Sequence, residues 1–417
     1  MDRLQGRADS TGAWPRRVLI ALFAAACLSC GGGGGGMSDG KASVGASPIP
    51  WTGTWAVAPW ATDAPGFNNQ TVRQIVHTSI GGSAVRVQLS NLYGSKAVVI
   101  GNVYVALRDR GPTTVAGSTR TITFGGQQSV TLPAGASIAS DPVPFDVPPL
   151  ADIAVSVYLP SETPPRPTGH DDSLQDVYVA PGNVGADPGF TGSTTNPAGQ
   201  AYYFLTNVDV QNAHATGAVV AFGASITQGL RSSSNANRRW ANDLAVRLFN
   251  AGMAVGVLNE GISGNTFFAD GEGEAGLNRF DRDALAQPGV KWVIVSDDAV
   301  NNLNTASPSS AQDLIGAFQQ LIARAHRVNV KVICSTLTPF RGTQFWTSAV
   351  EATREEVNAF VLSPTSGCDA VLDQARAVSD PADPASFLPA FNSGDNLHPN
   401  DAGMQAIADA LDLTSLK

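Results

Sequence analysis

Four short stretches hold the residues whose types and spacing could do chemistry. Ser225 lies in "AVVAFGASITQGL" (218–230), where an apolar run breaks at Gly223-Ala224-Ser225. Gly264 lies in "NEGISGN" (259–265) and Asn301 in "SDDAVNNLN" (296–304). Asp395 and His398 stand three residues apart in "SGDNLHPND" (393–401). A serine hydroxyl is a poor nucleophile at neutral pH and needs a base within hydrogen-bond reach. His398 can take that proton and return it to a leaving group. Asp395 can fix the imidazole tautomer and stabilise the imidazolium. The N–H groups of Ser225 and Gly264 and the side-chain amide of Asn301 could donate to an oxyanion. This is the inventory of acyl transfer through a serine, with no metal and no organic cofactor.

Each residue alone has a plainer role. Ser225 suits a helix N-cap, Gly264 a turn, and Asn301 a local loop hydrogen bond. Asp395 and His398 suit a turn before a helix capped by Asn400. What favours chemistry is position. From Ala218 onward, short apolar runs alternate with amphipathic segments. The runs are "AVVAF", "AVGVLNEG", "KWVIVS", "VKVICSTL" and "DAVLD". Between them lie "RRWANDLAVRLFNAG", "EAGLNRFDRDALAQPG", "SAQDLIGAFQQLIARAHRV" and "SAVEATREEVNAFVL", with "NDAGMQAIADALDL" closing the chain. Leu314, Phe318, Leu321, Ile322 and Ala325 make one helical stripe. Near-continuous apolar strands separated by helices predict a parallel sheet covered on both faces, a three-layer α/β/α domain over 214–417. Ligands bind outside the carboxyl ends of such strands. The four stretches all follow strands, so they gather at one edge.

Residues 51–213 read differently. Val85, Val87 and Leu89 alternate with Arg86, Gln88 and Ser90, and Ile153, Val155, Val157 and Leu159 alternate with smaller neighbours. Turn clusters rich in Gly and Pro separate such runs. The pattern predicts an all-β accessory domain, a sandwich or jelly roll.

The N-terminus is read as a targeting segment. Arg16-Arg17 precede "VLIALFAAACLSC", too short to span a bilayer. Cys30 is the last residue of that run, with six glycines behind it. Residues 1–30 thus resemble a bacterial lipoprotein signal with Cys30 as the lipid attachment point, although Cys27 sits where that motif usually has Leu. Plain secretion with cleavage among residues 24–29 is the alternative. Residues 31–50 are a Gly/Ser-rich linker by composition. The expected location is outside the bacterial cytoplasm, as a periplasmic or outer-membrane lipoprotein or a secreted protein. The membrane then enters only through the lipid. Export would permit a disulfide between Cys334 and Cys368, though two buried thiols fit equally.

The chain has 417 residues, 43% hydrophobic and 15% charged, with a net charge of −9. It carries no long basic cluster, which argues against nucleic acid. The five His residues form no ligand pair at helical spacing, so no metal site is expected.

The four stretches resemble the motifs of the SGNH subgroup of the GDSL esterase/lipase family. "FGASITQG" is similar to its first motif, "NEGISGN" to its second, and "DNLHPNDAG" to its last. "DAVNN" stands where the family has Gly-x-Asn-Asp. The resemblance implies a flavodoxin-like hydrolase domain with Ser225, Asp395 and His398 as triad and Ser225, Gly264 and Asn301 as oxyanion hole. It also implies small acyl, aryl, lipid or carbohydrate-acetyl esters as substrates. "WTGTWAVAP", "VRQIVHTSIGG" and "VRVQLSN" are similar to the β-domain of some exported members. Two departures remove a carboxylate near the site. The family's Asp before Ser is Ala224 here, and its Gly-x-Asn-Asp has become Ala299-Val300-Asn301-Asn302.

Phe267 and Phe268 come just after the Gly264 motif, and Phe340, Phe345 and Trp346 lie in "TPFRGTQFW" (338–346) after the fourth strand. They could line an acyl pocket or stack on a sugar or aromatic ring, or simply pack loops together. His170, beside Asp171 and Asp172, is a rival base from the β-half. A second class of function is a carbohydrate-binding surface protein whose C-terminal domain is an inactive scaffold. Oligomeric state is not legible.

Overall fold

The structure, a computed structural model, describes residues 49–197 and 199–417. The export segment, Cys30 and the linker up to residue 48 lie outside the described residues.

The C-terminal half is built on five parallel strands. Across the sheet they run Val255–Gly261, Gly217–Gly223, Val290–Val295, Lys331–Ser335 and Ala370–Leu372. In chain order this is 2-1-3-4-5, the flavodoxin-like order, with its switch point beside the first strand. Alternate residues serve opposite faces. Val220, Phe222, Val293, Val295 and Val332 pack against Leu314, Phe318 and Leu321 of helix Ala311–Arg327 and Val357 and Val361 of helix Ser348–Leu362. Val219, Ala221, Ile294 and Ile333 pack against Trp240, Leu244 and Leu248 of helix Trp240–Asn250 and Met404 and Ile407 of helix Asp401–Ala410. With both faces covered, the strands tolerate almost no polar residue until they reach their carboxyl ends. The segment 274–289 forms helix Gly276–Phe280 and widens into a π-helical turn over Asp281–Leu285. Cys334 and Cys368 are joined as a disulfide, with Cα atoms 5.8 Å apart.

The N-terminal half is a sandwich of two antiparallel sheets. One orders Trp51–Ala56, Leu205–Gln211, Gly82–Ser90 and Ser137–Ala139; the other centres on Val177–Pro181, Gln70–His77, Asp152–Leu159 and Val103–Arg110. Val85, Val87, Leu89, Ile153, Val155 and Val157 meet in the shared core. Ala154 and Ser156 are buried too, although the alternation places them outward. The outer face of their sheet is covered by Phe190 and by Arg73, which donates to Ser156 Oγ at 2.8 Å.

The two halves form one compact unit. Strand Trp51–Ala56 lies against Val255–Gly261 so closely that a Cβ on Gly256 would collide with the Gly53 carbonyl. Gly53 N–H donates to Pro288 O at 2.9 Å, and Val257 N–H donates to Ser79 Oγ at 2.9 Å.

Candidate active site

Ser225 lies one residue beyond the first strand, with Ala224 between. It opens a one-turn helix, Ser225–Gln228, which Gly229 ends in the left-handed conformation at φ 98°. Ala224, not Ser225, occupies the N-cap position, and the serine side chain caps nothing. Its Oγ instead lies 2.9 Å from His398 Nε2. His398 Nδ1 lies 2.8 Å from Asp395 Oδ2. A carboxylate can only accept, so the neutral ring carries its proton on Nδ1 and leaves Nε2 to accept from the serine hydroxyl. Three residues separated by as much as 173 positions therefore meet in one relay.

Asp395 is held by its own turn. Its Oδ1 accepts from Leu397 N–H at 3.0 Å and His398 N–H at 2.8 Å. Burial would raise its pKa, but the hydrogen bonds from the His398 backbone and ring and from Leu397 outweigh that and keep it well below the usual carboxylate range. Arg231 Nε stands 3.2 Å from the same Oδ2. Asn400 caps the helix behind this turn, its Oδ1 accepting from Gly403 N–H at 3.0 Å.

Gly264 sits exposed on the loop after the second strand at φ 78°, a conformation that glycine adopts without strain. Among the described residues, no protein group takes up its N–H or that of Ser225. Asn301 lies on helix Asp298–Leu303, directly after the third strand. Its Nδ2 donates to Asn265 O at 2.8 Å, which ties it to the Gly264 loop and uses one of its two amide hydrogens. Asn302, where the resemblance has Asp, accepts from Phe267 N–H at 2.9 Å and so performs a loop-bracing bond without a carboxylate.

The loss of a carboxylate at Ala224 also has a structural answer. Asp297, just past the end of the third strand and 1% exposed, points its carboxylate into the Ser225 turn. Oδ1 accepts from Ala224 N–H at 2.9 Å, Thr227 N–H at 3.3 Å and Thr227 Oγ1 at 2.6 Å; Oδ2 accepts from Ile226 N–H at 2.7 Å. Four donors converge on one buried carboxylate. The sequence reading passed over Asp297; the signal was an acid at a strand end beside a motif that lacks one. Arg279, also unforeseen, is fully buried and donates to Gly223 O at 2.8 Å, Glu260 O at 2.7 Å and Asn265 Oδ1 at 3.0 Å. It thereby ties the ends of the first two strands from beneath. Beside it, burial pushes Asp298 up to about 6 against the pull of the guanidinium, and burial next to Asp283 pushes Glu260 well above the ordinary range.

Of the two roles open to the aromatic residues, Phe267 and Phe340 take the packing one. Phe267 and Phe340 do not line a substrate surface. Both are fully buried in the core above the parallel sheet, with Phe267 edge-on to Phe318 at 5.6 Å. Their apolar area is worth more inside, because the loops after the second and fourth strands need an anchor on the helix layer. Phe268 is exposed, and Phe345 and Trp346 are half-buried, with Arg341 stacked over Trp346 at 4.5 Å. His170 is buried where the β-half meets Gln228 and Arg239, with Nδ1 on Ala58 O at 2.8 Å, and burial lowers its pKa to about 4. Among the described residues, no group of three or more His, Cys, Asp or Glu side chains is arranged to hold a metal.

Residues 221–406 match the model of the GDSL-like lipase/acylhydrolase family. No curated protein matches the chain. Among solved structures it is similar to a lipolytic protein of the G-D-S-L family from Desulfitobacterium hafniense DCB-2, at 21% identity over 46% of this chain and 97% of that one, TM-score 0.37. It is also similar to a variant of an acetyl xylan esterase from Geobacillus stearothermophilus, at 18% identity over 48% and 95%, TM-score 0.38. A GDSL-like lipase from Bacteroides thetaiotaomicron VPI-5482 aligns at 14% identity over 48% and 88%, TM-score 0.35. Residues 221–406 are thus matched as a GDSL-like lipase/acylhydrolase domain, the domain of an ester-hydrolysing serine hydrolase.

Proposed function

We propose that Ser225 is the nucleophile of an exported carboxylester hydrolase that works through an acyl-enzyme. The observation that carries this is the 2.9 Å approach of His398 Nε2 to Ser225 Oγ, with Asp395 on the other ring nitrogen. His398 removes the hydroxyl proton as Oγ attacks the ester carbonyl. The tetrahedral oxyanion is met by the N–H groups of Ser225 and Gly264 and by the remaining amide hydrogen of Asn301. Collapse expels the alcohol, which takes the proton from His398. Water then repeats the sequence on the acyl-enzyme and releases the acid.

The substrates proposed are small acyl, aryl or carbohydrate-acetyl esters. Exposed Phe268 and half-buried Phe345 and Trp346 offer apolar surface for an aryl or sugar ring. Export is supported by the apolar run ahead of Cys30 and by the disulfide Cys334–Cys368, a bond that persists in oxidising compartments. Attachment through a lipid on Cys30 belongs to the same proposal. The test is hydrolysis of p-nitrophenyl acetate by the purified protein and by Ser225→Ala. Loss of turnover in the variant is expected; equal rates would end the reading of Ser225 as nucleophile, and no turnover by the wild type would leave an inactive scaffold.

A further inference from the structure

We infer that Gln228 is a positioning residue through which the β-half sets the oxyanion loop. This rests on the esterase function proposed above. Gln228 closes the one-turn helix that Ser225 opens, and it is 4% exposed. Both ends of its amide are used, and they face opposite halves of the protein. Oε1 accepts from Ser263 N–H at 2.5 Å. Nε2 donates to the carbonyls of Asp171 at 2.7 Å and Asp172 at 3.1 Å. Ser263 immediately precedes Gly264, so the amide plane of Gln228 fixes the peptide next to the proposed oxyanion donor. The loop has little other freedom there: a Cβ on Gly261 would collide with Gln228 N.

The contact is part of a larger clasp. Arg239 donates through Nε to Gln228 O at 3.1 Å and through Nη2 to Ser173 O. Asn235 N–H donates to Leu174 O at 2.9 Å, and Asn235 Oδ1 accepts from Asp176 N–H at 2.7 Å. Both facing segments hold non-glycine residues in the left-handed region: Asp172 and Leu174 at φ 51°, Asn235 at 61°. Such conformations persist where surrounding contacts over-determine them. The β-half is thus not a separate appendage on this side of the molecule. Its Asp171–Asp176 segment is the fixed wall against which the nucleophile helix and the oxyanion loop are both registered.

An oxyanion donor acts in the transition state, so a loop that drifts lowers kcat more than it raises KM. Gln228→Leu keeps the volume and removes both contacts. It is expected to lower kcat on p-nitrophenyl acetate about 10- to 100-fold with KM nearly unchanged. Affinity for phenylboronic acid, which forms a tetrahedral adduct on the serine, should fall in parallel. Gln228→Glu supplies a pH readout. Its carboxylate would face the Asp171 and Asp172 carbonyls, whereas its protonated form can donate to them as the amide does. The deficit relative to wild type should therefore shrink as pH falls. If Gln228→Leu does not fold, that pH-dependent ratio decides. Wild-type kcat and boronate affinity in Gln228→Leu, or a pH-independent deficit in Gln228→Glu, would overturn the inference alone. Absence of wild-type turnover, or turnover retained in Ser225→Ala, would remove the esterase reading and this inference with it.

Discussion

Replacing Asp297 by Asn tests whether the Ser225 turn is braced from the third strand. The side chain keeps its shape and loses one acceptor oxygen. If the amide oxygen keeps the place of Oδ1, it retains Ala224 N–H and both Thr227 donors, and the NH2 group then opposes Ile226 N–H, now 2.7 Å from Oδ2. The reverse orientation sacrifices three donors for one. A hydrogen bond to a charged group is worth about 1.5–3 kcal/mol, and the abandoned N–H is buried. The expected loss of stability is about 2–4 kcal/mol. The turn also sets Ser225 Oγ against His398 Nε2, and a displacement of about 1 Å costs on the order of 100-fold in rate. Asp297→Asn should therefore lower the chemical-denaturation midpoint and reduce kcat about 10- to 100-fold with KM little changed. The companion variant is Ala224→Asp, which restores the family's acid. Ala224 is fully buried, and the donors of this turn are already taken by Asp297. A second carboxylate there lacks a partner, so the single variant should destabilise by about 3 kcal/mol or more. In the Asp297→Asn background that penalty should be smaller, a non-additivity that a double-mutant cycle reads directly. Wild-type midpoint and kcat in Asp297→Asn, or strict additivity of the pair, would refute the brace.

Glu260 is 1% exposed, and neither of its carboxylate oxygens has a hydrogen-bond partner among the described residues. Its pKa is raised in the folded protein, so stability is full below the unfolded value and is lost as pH climbs from there towards the folded value, at up to about 1.4 kcal/mol per pH unit. Glu260→Gln should flatten that slope and raise the melting temperature at pH 8 more than at pH 5; equal shifts at both would show that the proton is not involved. The disulfide closes a loop of 34 residues. The double variant Cys334→Ser/Cys368→Ser should lose about 4 kcal/mol on the chain-entropy scale. Reductant should lower the melting temperature of the wild type and leave that of the variant unmoved.

What the amino-acid order determines by itself is local. Continuous apolar runs ending at Gly223, Gly261, Ser296 and Ser335 define buried parallel strands, and the turn residues after them mark the edge where polar chemistry is tolerated. Ser225, Asp395 and His398 were legible for that reason, as was Asn400 as a cap. The faces of the sandwich core follow from the same periodicities, whereas the strand order 2-1-3-4-5 is decided by the tertiary structure, periodicity being silent on which strands become neighbours. Contacts that depend on register across distant segments were not legible. Asp297 reaches Ala224 over 73 residues, and Gln228 reaches Asp171 over 57. No local pattern records such a meeting, because a carboxylate at a strand end reads the same whether it caps, binds or braces. Phe267 and Phe340 show the opposite error. In loops after the second and fourth strands they look available, but apolar area goes to whichever surface the folded loops leave nearest, and here that is the helix layer. The pairing of Cys334 with Cys368 likewise waited on geometry: Cys334 is the penultimate residue of a strand whose neighbour begins two residues after Cys368, and only that adjacency brings the sulfurs within bonding reach.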